Sequence, residues 1–79
     1  MIKEIIENFP NEEIIICDNF NDAIIGFDAN NMKVVYSFEK CIEQLQKNGL
    51  SYNEALDDFY YNTYDSFIGE RTPIFIYEY

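Results

Sequence analysis

The part of the sequence that decides the fold is residues 37–76, which read SFEKCIEQLQKNGLSYNEALDDFYYNTYDSFIGERTPIFI. This stretch predicts two short helices joined by an abrupt turn, followed by a loop and a closing strand. The residues before it are mostly typical of strands. We therefore expect a sheet against which the helix pair packs.

The first helix of the pair is predicted from apolar residues at positions 38, 41, 42 and 45, because this spacing places them on one helical face. Ser37 is suited to cap its N-terminus, since the hydroxyl can accept a hydrogen bond from a backbone N–H of the first turn. Gly49 is expected to end the helix, because glycine readily takes the left-handed conformation that closes a helix C-terminus.

The second helix is predicted to start at residues 51–54, SYNE, which match the capping box. In this motif the serine and the glutamate side chains each accept a hydrogen bond from the other residue's backbone N–H. One helical face is expected to hold Tyr52, Ala55, Leu56, Phe59 and Thr63. A single glycine between two capped helices predicts an αα-hairpin.

The remaining elements are predicted from shorter patterns. Residues 1–9 are expected to form an amphipathic helix that Pro10 ends. A turn is expected at 18–22, a hairpin connection at 28–31, and either a bulge or a close backbone approach at Gly26. The predicted strands are residues 14–17, 23–28, 32–36 and 74–79.

These elements, in the order α-β-β-β-α-α-β, predict one small α+β domain over residues 1–79. Its expected core is a four-stranded antiparallel sheet with the αα-hairpin packed on one face. The 79 residues leave no room for a second domain, and the 48% hydrophobic content is enough for a dense core. The 18% aromatic content can also leave aromatic surface for a partner or a second copy.

Charge and residue usage exclude several classes of function. The net charge of −10 repels phosphate backbones and anionic membranes, so we expect neither direct nucleic-acid binding nor membrane binding. Histidine is absent, and Cys17 and Cys41 lie in apolar runs, where buried thiols are typical. Residues 18–29 differ from a calcium loop at Phe20 and Ala29. We expect no catalytic residue, metal or cofactor.

The chain has no basic segment followed by an apolar stretch at its start, and no apolar run of about 18 residues. With only two cysteines, the sequence also lacks a disulfide framework. These features are typical of a reduced, cytoplasmic protein.

Three segments, VVYSFEKCIE, SYNEALDDFYYNT and GERTPIFI, resemble a family of small uncharacterised acidic proteins of phages, prophages and mobile elements. The resemblance covers residues 24–77. Its matching features include Ser51, Glu54, Asn62, Gly69 and the Thr72-Pro73-Ile74 ending. The resemblance implies a phage-borne origin and, by association, an inhibitor of a host defence protein, such as an anti-CRISPR or anti-restriction factor. It assigns no catalytic residue.

The resulting hypothesis is a non-enzymatic inhibitor that occupies a basic, nucleic-acid-binding surface of a partner protein. Duplex DNA carries a charge about every 1.7 Å along its axis, so a mimic needs an ordered row of carboxylates. The second helix offers such a row with Tyr61 within it, and the first helix can extend the row. The candidate partner-binding residues are Glu54, Asp57, Asp58, Tyr61, Asp65, Glu39 and Glu43.

Two alternatives remain open. In one, the protein is a structural or regulatory module that forms a homodimer through the closing strand or exposed tyrosines among Tyr60, Tyr61 and Tyr64. Weak salt dependence and a stable dimer would favour this alternative. In the other, the protein is an enzyme or a small-molecule sensor with an aromatic pocket around Gly26 and Tyr36.

Overall fold

The computed structural model of the protein describes residues 2–63 and 72–79. These residues form a small α+β fold with three α-helices, one 3-10 helix and a three-stranded mixed sheet. The α+β class is therefore confirmed. The helices are α1 (Ile2–Asn8), the 3-10 helix (Asp18–Ala23), α2 (Phe38–Lys47) and α3 (Tyr52–Asn62). The strands are β1 (Ile24–Asp28), β2 (Lys33–Ser37) and β3 (Ile74–Ile76).

The sheet has the order β1-β2-β3, with β1 antiparallel and β3 parallel to β2. Val35 of β2 pairs with Ile74, and Ser37 pairs with Ile76. The prediction of an entirely antiparallel sheet is therefore wrong. Parallel strands need a crossover of a dozen residues or more. Residues 38–73, which include both helices of the pair, are long enough to provide it. The strand at 74–79 is also shorter than predicted.

Residues 14–17, predicted as a buried strand, lie outside the sheet, and Cys17 among them has an extended backbone. The backbone N–H of Cys17 donates to the hydroxyl of Tyr36 on β2 at 2.7 Å, so a side chain takes the place of a ladder partner. Ile14 and Ile16 are partly buried against the core. The β-branched run correctly indicated apolar packing, but packing does not require pairing with a strand.

The next segment, predicted as a turn, folds as the 3-10 helix Asp18–Ala23. Cys17, Phe20 and Ala23 are all buried, at intervals of three residues. The segment is two 3-10 turns that meet at a kink at Phe20, where φ is −123° and ψ is 28°, and each turn of about three residues separates one buried side chain from the next. The turn prediction rested on the Asn and Asp residues and ignored this apolar spacing.

The β1–β2 hairpin lies where predicted and contains the expected bulge. Ile24 pairs with Tyr36, whereas Gly26 pairs with Val35, so Ile25 is the additional residue. A Cβ atom added at Gly26 would meet no atom within 4 Å. The alternative of a close backbone approach at this glycine is therefore wrong.

Both ends of α2 match the prediction. The Ser37 hydroxyl accepts a hydrogen bond from the backbone N–H of Lys40 at 3.2 Å. At the other end, Gly49 has a φ of +106°, and its N–H donates to the carbonyl of Gln46 at 3.0 Å. The next N–H, at position 50, donates to the carbonyl at position 45 at 3.3 Å, which completes a Schellman motif. The reversal that leads into α3 is therefore fixed locally.

Phe59 of α3 joins the layers of the core. Its ring is fully buried and lies 6.1 Å from Phe20, 5.1 Å from Phe38 and 5.0 Å from Phe75. All three contacts are close to perpendicular, at 77°, 84° and 88°, the edge-to-face arrangement that aromatic rings favour. One side chain thus connects α3 with the 3-10 helix, α2 and β3.

Helix α1 also forms as predicted, with Ile5 buried and Ile2 packed against the core. Phe9 follows the helix, and its ring lies 4.7 Å from that of Phe27. Ile6, by contrast, is 49% exposed, so the predicted apolar face of this helix is wider than the face that the core covers.

Candidate protein-binding groove

A groove of about 240 Å³ lies along α2, at the border between its buried and exposed faces. Helix α2 forms one side of it, and the start of α3 and the segment after β3 form the other. We call it the tyrosine–glutamate groove, and its lining residues are Phe38, Glu39, Ile42, Glu43, Gln46, Tyr52 and Tyr77.

The spacing of residues on α2 gives the groove an apolar part beside an acidic part. Phe38 and Ile42 are one turn apart, and both are buried against the core. Glu39 and Glu43 are also one turn apart, and both are exposed. Because each acidic residue follows an apolar one, two adjacent rows form along the helix. On α2 the exposed part of this lining is therefore carboxylate, with Phe38 and Ile42 buried beside it.

The aromatic side of the groove is a cluster of exposed tyrosines. The ring of Tyr77 lies 4.7 Å from the ring of Phe38, and the ring of Tyr60 lies 5.8 Å from it. Loss of hydration, together with a hydrogen bond to Tyr60, raises the pKa of Tyr77. Tyr52 and Tyr79 lie close enough to influence Tyr77 electrostatically. All four tyrosines are exposed and belong to one patch.

Glu39 fastens the segment after β3 to α2. Its Oε1 accepts a hydrogen bond from the backbone N–H of Glu78 at 3.0 Å. This bond holds the backbone directly after Tyr77, so it also places the tyrosine at the groove. Among the described residues, this hydrogen bond uses only Oε1 of Glu39. Oε2 of the same carboxylate is therefore available to a ligand.

The acidic residues on α3 occupy a different surface. Glu54 completes the predicted capping box: its Oε1 accepts from the Ser51 N–H at 2.9 Å, and its own N–H donates to Ser51 Oγ at 3.2 Å. The hydrogen bond from the Ser51 N–H to the carboxylate, with a smaller contribution from the Ser51 side chain, lowers the pKa of Glu54. Asp58 accepts a hydrogen bond from the side-chain amide of Asn62. Asp57 is exposed. The carboxylates of Glu54 and Asp58 therefore already accept hydrogen bonds from residues of α3 and its N-cap.

The groove and the acidic surface of α3 lie on different sides of that helix. Tyr52 lines the groove, and Glu54 follows two residues later, a rotation of about 200°. Tyr61, which is 81% exposed, lies near the direction of Glu54. The structure thus brings Glu39 and Glu43 together in the groove but not with Glu54, while Asp65 lies outside the described residues.

Sequence reasoning missed the aromatic half of the groove. Tyr52 was predicted on the buried face of α3, but it is 56% exposed, so that prediction is wrong. As the first residue of the helix, Tyr52 lies beyond the buried contacts of Ala55 and Phe59. Tyr77 was assigned to the closing strand, which ends at Ile76. Which of Tyr60, Tyr61 and Tyr64 are exposed was left open by the sequence; Tyr60 and Tyr61 are exposed, and Tyr64 lies outside the described residues.

The cysteines do not provide a reactive site. Cys17 and Cys41 are buried thiols, as predicted. Burial, with a smaller contribution from Cys17, raises the pKa of the Cys41 thiol to about 12, so almost none of it is thiolate at neutral pH. Among the described residues, no group of three or more potential ligands could hold a metal ion. Nor does any helix in that part of the chain have the length and apolar character to cross a membrane.

Comparisons with known protein families, with curated proteins and with solved structures found no match to this chain. The resemblance to phage and mobile-element proteins therefore stays a prediction. The groove, whose lining combines carboxylates with exposed tyrosine rings, is the feature that supports a functional proposal.

Proposed function

We propose that the protein is a non-enzymatic acidic binding protein whose tyrosine–glutamate groove binds basic side chains on a partner protein. The observation that supports this most is the groove itself, in which Glu39 and Glu43 share one lining with the exposed rings of Tyr52 and Tyr77. A cation can interact with the carboxylates and the ring faces at once. Tyrosine-rich surfaces also often contribute much of the binding energy at protein interfaces.

The overall charge favours the same kind of partner. A net charge of −10 attracts basic surfaces over a distance and accelerates their encounter with the protein at low salt. Basic surfaces that hold nucleic acid are common targets for such a charge. A protein bound at that surface would compete with the nucleic acid. The proposed effect on the partner is therefore inhibition.

The finer proposal is that the partner is a host defence protein of the CRISPR or restriction type, met in the host cytoplasm. It is supported by the resemblance of residues 34–43, 51–63 and 69–76 to phage and mobile-element proteins. On this proposal, the carboxylates in the groove take the place of nucleic-acid phosphates on the partner. The outer acidic surface of α3, with Asp57 and Tyr61, can add further contacts.

A matched pair of variants tests the proposal. Glu43→Gln removes one exposed carboxylate from the groove, and Asp57→Asn removes one from α3, so both change the net charge equally. Tagged wild-type and variant proteins would capture partners from host lysate at low and high salt, with duplex DNA as a competitor. We expect wild type and Asp57→Asn to capture a nucleic-acid-binding protein that Glu43→Gln captures only weakly. High salt and duplex DNA should both release the captured protein.

Equal capture by Glu43→Gln and wild type would refute a role for the groove. Loss of capture with Asp57→Asn alone would move the site to the outer surface of α3. Capture that neither salt nor DNA reduces would refute competition with nucleic acid.

Self-association is a second candidate function, favoured by the position of β3. This strand lies at an edge of the sheet that the described residues form, and Ile76 on it is 39% exposed. An edge strand with exposed apolar residues can pair with a second copy. Sedimentation at several protein concentrations tests this alternative. A salt-insensitive dimer that Ile76→Lys dissociates would favour it over the binding of a basic partner.

A further inference from the structure

Building on the proposed function, we infer that the tyrosine–glutamate groove receives the side chain of one arginine of the partner, in preference to lysine. The proposed function requires only a basic partner. The size of the groove, the arrangement of its two carboxylates and the position of its tyrosine rings indicate which basic residue fits.

The size of the groove suits one long side chain. Its volume of about 240 Å³ corresponds to roughly eight water molecules, at about 30 Å³ each. Pockets for drug-sized molecules usually start at about 300 Å³. An arginine side chain, with about seven non-hydrogen atoms beyond Cα, fits within such a space.

The lining matches the successive parts of an arginine side chain. The methylene stem can pack on the exposed rings of Tyr52 and Tyr77, because Phe38 and Ile42 beneath the groove are almost wholly buried. The exposed rings of Tyr52 and Tyr77 suit the flat guanidinium, which stacks on aromatic faces. Glu43 can then accept hydrogen bonds from the guanidinium edge.

The two carboxylates provide the selectivity. Residues one turn apart on a helix have Cβ atoms about 5–6 Å apart, so Glu39 and Glu43 present two separate acceptors. A guanidinium has donors on several sides of a plane and can serve both acceptors while it stacks on a ring. A lysine ammonium is a compact, strongly hydrated point donor that cannot stack in this way. Because the Glu78 N–H already fixes Glu39, less side-chain freedom is lost on binding.

The test compares three short peptides of otherwise identical sequence, with a central arginine, lysine or citrulline. Their affinities for the intact protein would be measured from NMR shifts of backbone amides. We expect the arginine peptide to bind roughly fivefold or more tightly than the lysine peptide, from one added ring contact and one added hydrogen bond. The uncharged citrulline peptide should bind weakly. The shifts should map to α2 and to residues 77–79.

A second matched pair controls for general loss of aromatic surface. Tyr52→Leu changes a tyrosine in the groove, and Tyr61→Leu changes an exposed tyrosine elsewhere on the same helix. Only Tyr52→Leu should reduce the preference for arginine. Equal affinity for arginine and lysine peptides would overturn the inference, as would shifts confined to the outer surface of α3.

The chain's single arginine, Arg71, provides a further check. A dimer that Arg71→Lys dissociates would show that a second copy fills the groove, which would overturn the assignment to a partner protein. The inference and the proposed function can also fail separately. Glu43-dependent capture of a basic protein without arginine preference would refute only the inference. Specific binding of the arginine peptide without capture of a nucleic-acid-binding protein would refute only the proposed function.

Discussion

The substitution Tyr36→Phe tests how residues 14–17 are held without a place in the sheet. Tyr36 is fully buried on β2, and its hydroxyl accepts a hydrogen bond from the Cys17 N–H at 2.7 Å. Burial raises the pKa of Tyr36 well above its usual value of 10.0, so the hydroxyl stays protonated at neutral pH. Phenylalanine keeps the ring and its stacked contact with Phe75, at 5.4 Å, and removes only the hydroxyl.

The expected cost follows mainly from that backbone hydrogen bond, to which the Cys17 side chain adds a hydrogen bond with Tyr36. Removing the acceptor from a buried N–H group costs about 1–3 kcal/mol. In a domain of this size, each kcal/mol lowers Tm by about 4–8 °C. We therefore expect Tyr36→Phe to lower Tm by roughly 5–20 °C. The ring itself should contribute little to the change, because the aromatic packing is retained.

Thermal unfolding followed by circular dichroism, together with urea titration, measures this cost. Tyr61→Phe is the matched control, since Tyr61 is 81% exposed and the loss of its hydroxyl should change stability by less than about 0.5 kcal/mol. Faster amide hydrogen exchange at Cys17 in Tyr36→Phe would show that the loss of stability arises in residues 14–17. If both variants unfold at the wild-type temperature, the hydroxyl does not hold this segment and the reasoning is wrong.

Three further predictions concern the cap of α3 and the buried thiol. Ser51→Ala removes one side of the capping box and should cost about 0.5–2 kcal/mol in urea unfolding, whereas Ser51→Asp should retain most of that stability. The pKa of Glu54 lies below its ordinary value of 4.5, so its contribution should be complete above pH 4.5 and decline as pH falls through the lower folded pKa. Glu54→Gln should remove this part of the acid dependence of Tm. The raised pKa of Cys41 predicts stability that is complete below pH 9.0 and declines as pH rises toward about 12. Tm measured from pH 8 to 11 should fall less steeply in Cys41→Ala.

The helix pair could be predicted because its signals are local. Ser37, Gly49, Ser51 and Glu54 each act on backbone groups a few residues away, so the sequence contains both partners of each interaction within one turn. The same holds for the hairpin connection, where the Asp28 side chain accepts hydrogen bonds from the N–H groups of the next turn residues. Residues that are close in sequence therefore determine these features on their own.

The sheet could not be predicted in the same way because its partners are distant in sequence. The residues of β3 are apolar and pair in parallel with β2, but nothing in IFI specifies the direction of pairing. The segment at 14–17 has the composition of a strand, yet the hydroxyl of Tyr36, 19 positions away, takes its hydrogen bond. Long-range competition for backbone groups decides both outcomes.

In the candidate site, too, the residues set by local sequence could be predicted and those set by distant contacts could not. Glu39 and Glu43 could be named from the sequence, because charge and helical spacing are local properties. Tyr52 and Tyr77 could not be paired with them, since the groove joins the start of α3 to the segment after β3. A hydrogen bond between residues 39 positions apart, from Glu78 N–H to Glu39, fixes that arrangement.

This arrangement connects ligand binding with the stability of the sheet edge. β3 is only three residues long and lies at an edge, and such elements open more easily than a core. The segment after it is held to α2 by the Glu39 hydrogen bond and by the contact of Tyr77 with Phe38. A ligand that touches both α2 and Tyr77 binds only when this segment is in place. By linkage, such a ligand must also stabilise the attachment of β3. Slower amide exchange in residues 74–78 on addition of the arginine peptide would therefore report occupancy of the groove, and a ligand on the outer surface of α3 would leave that exchange unchanged.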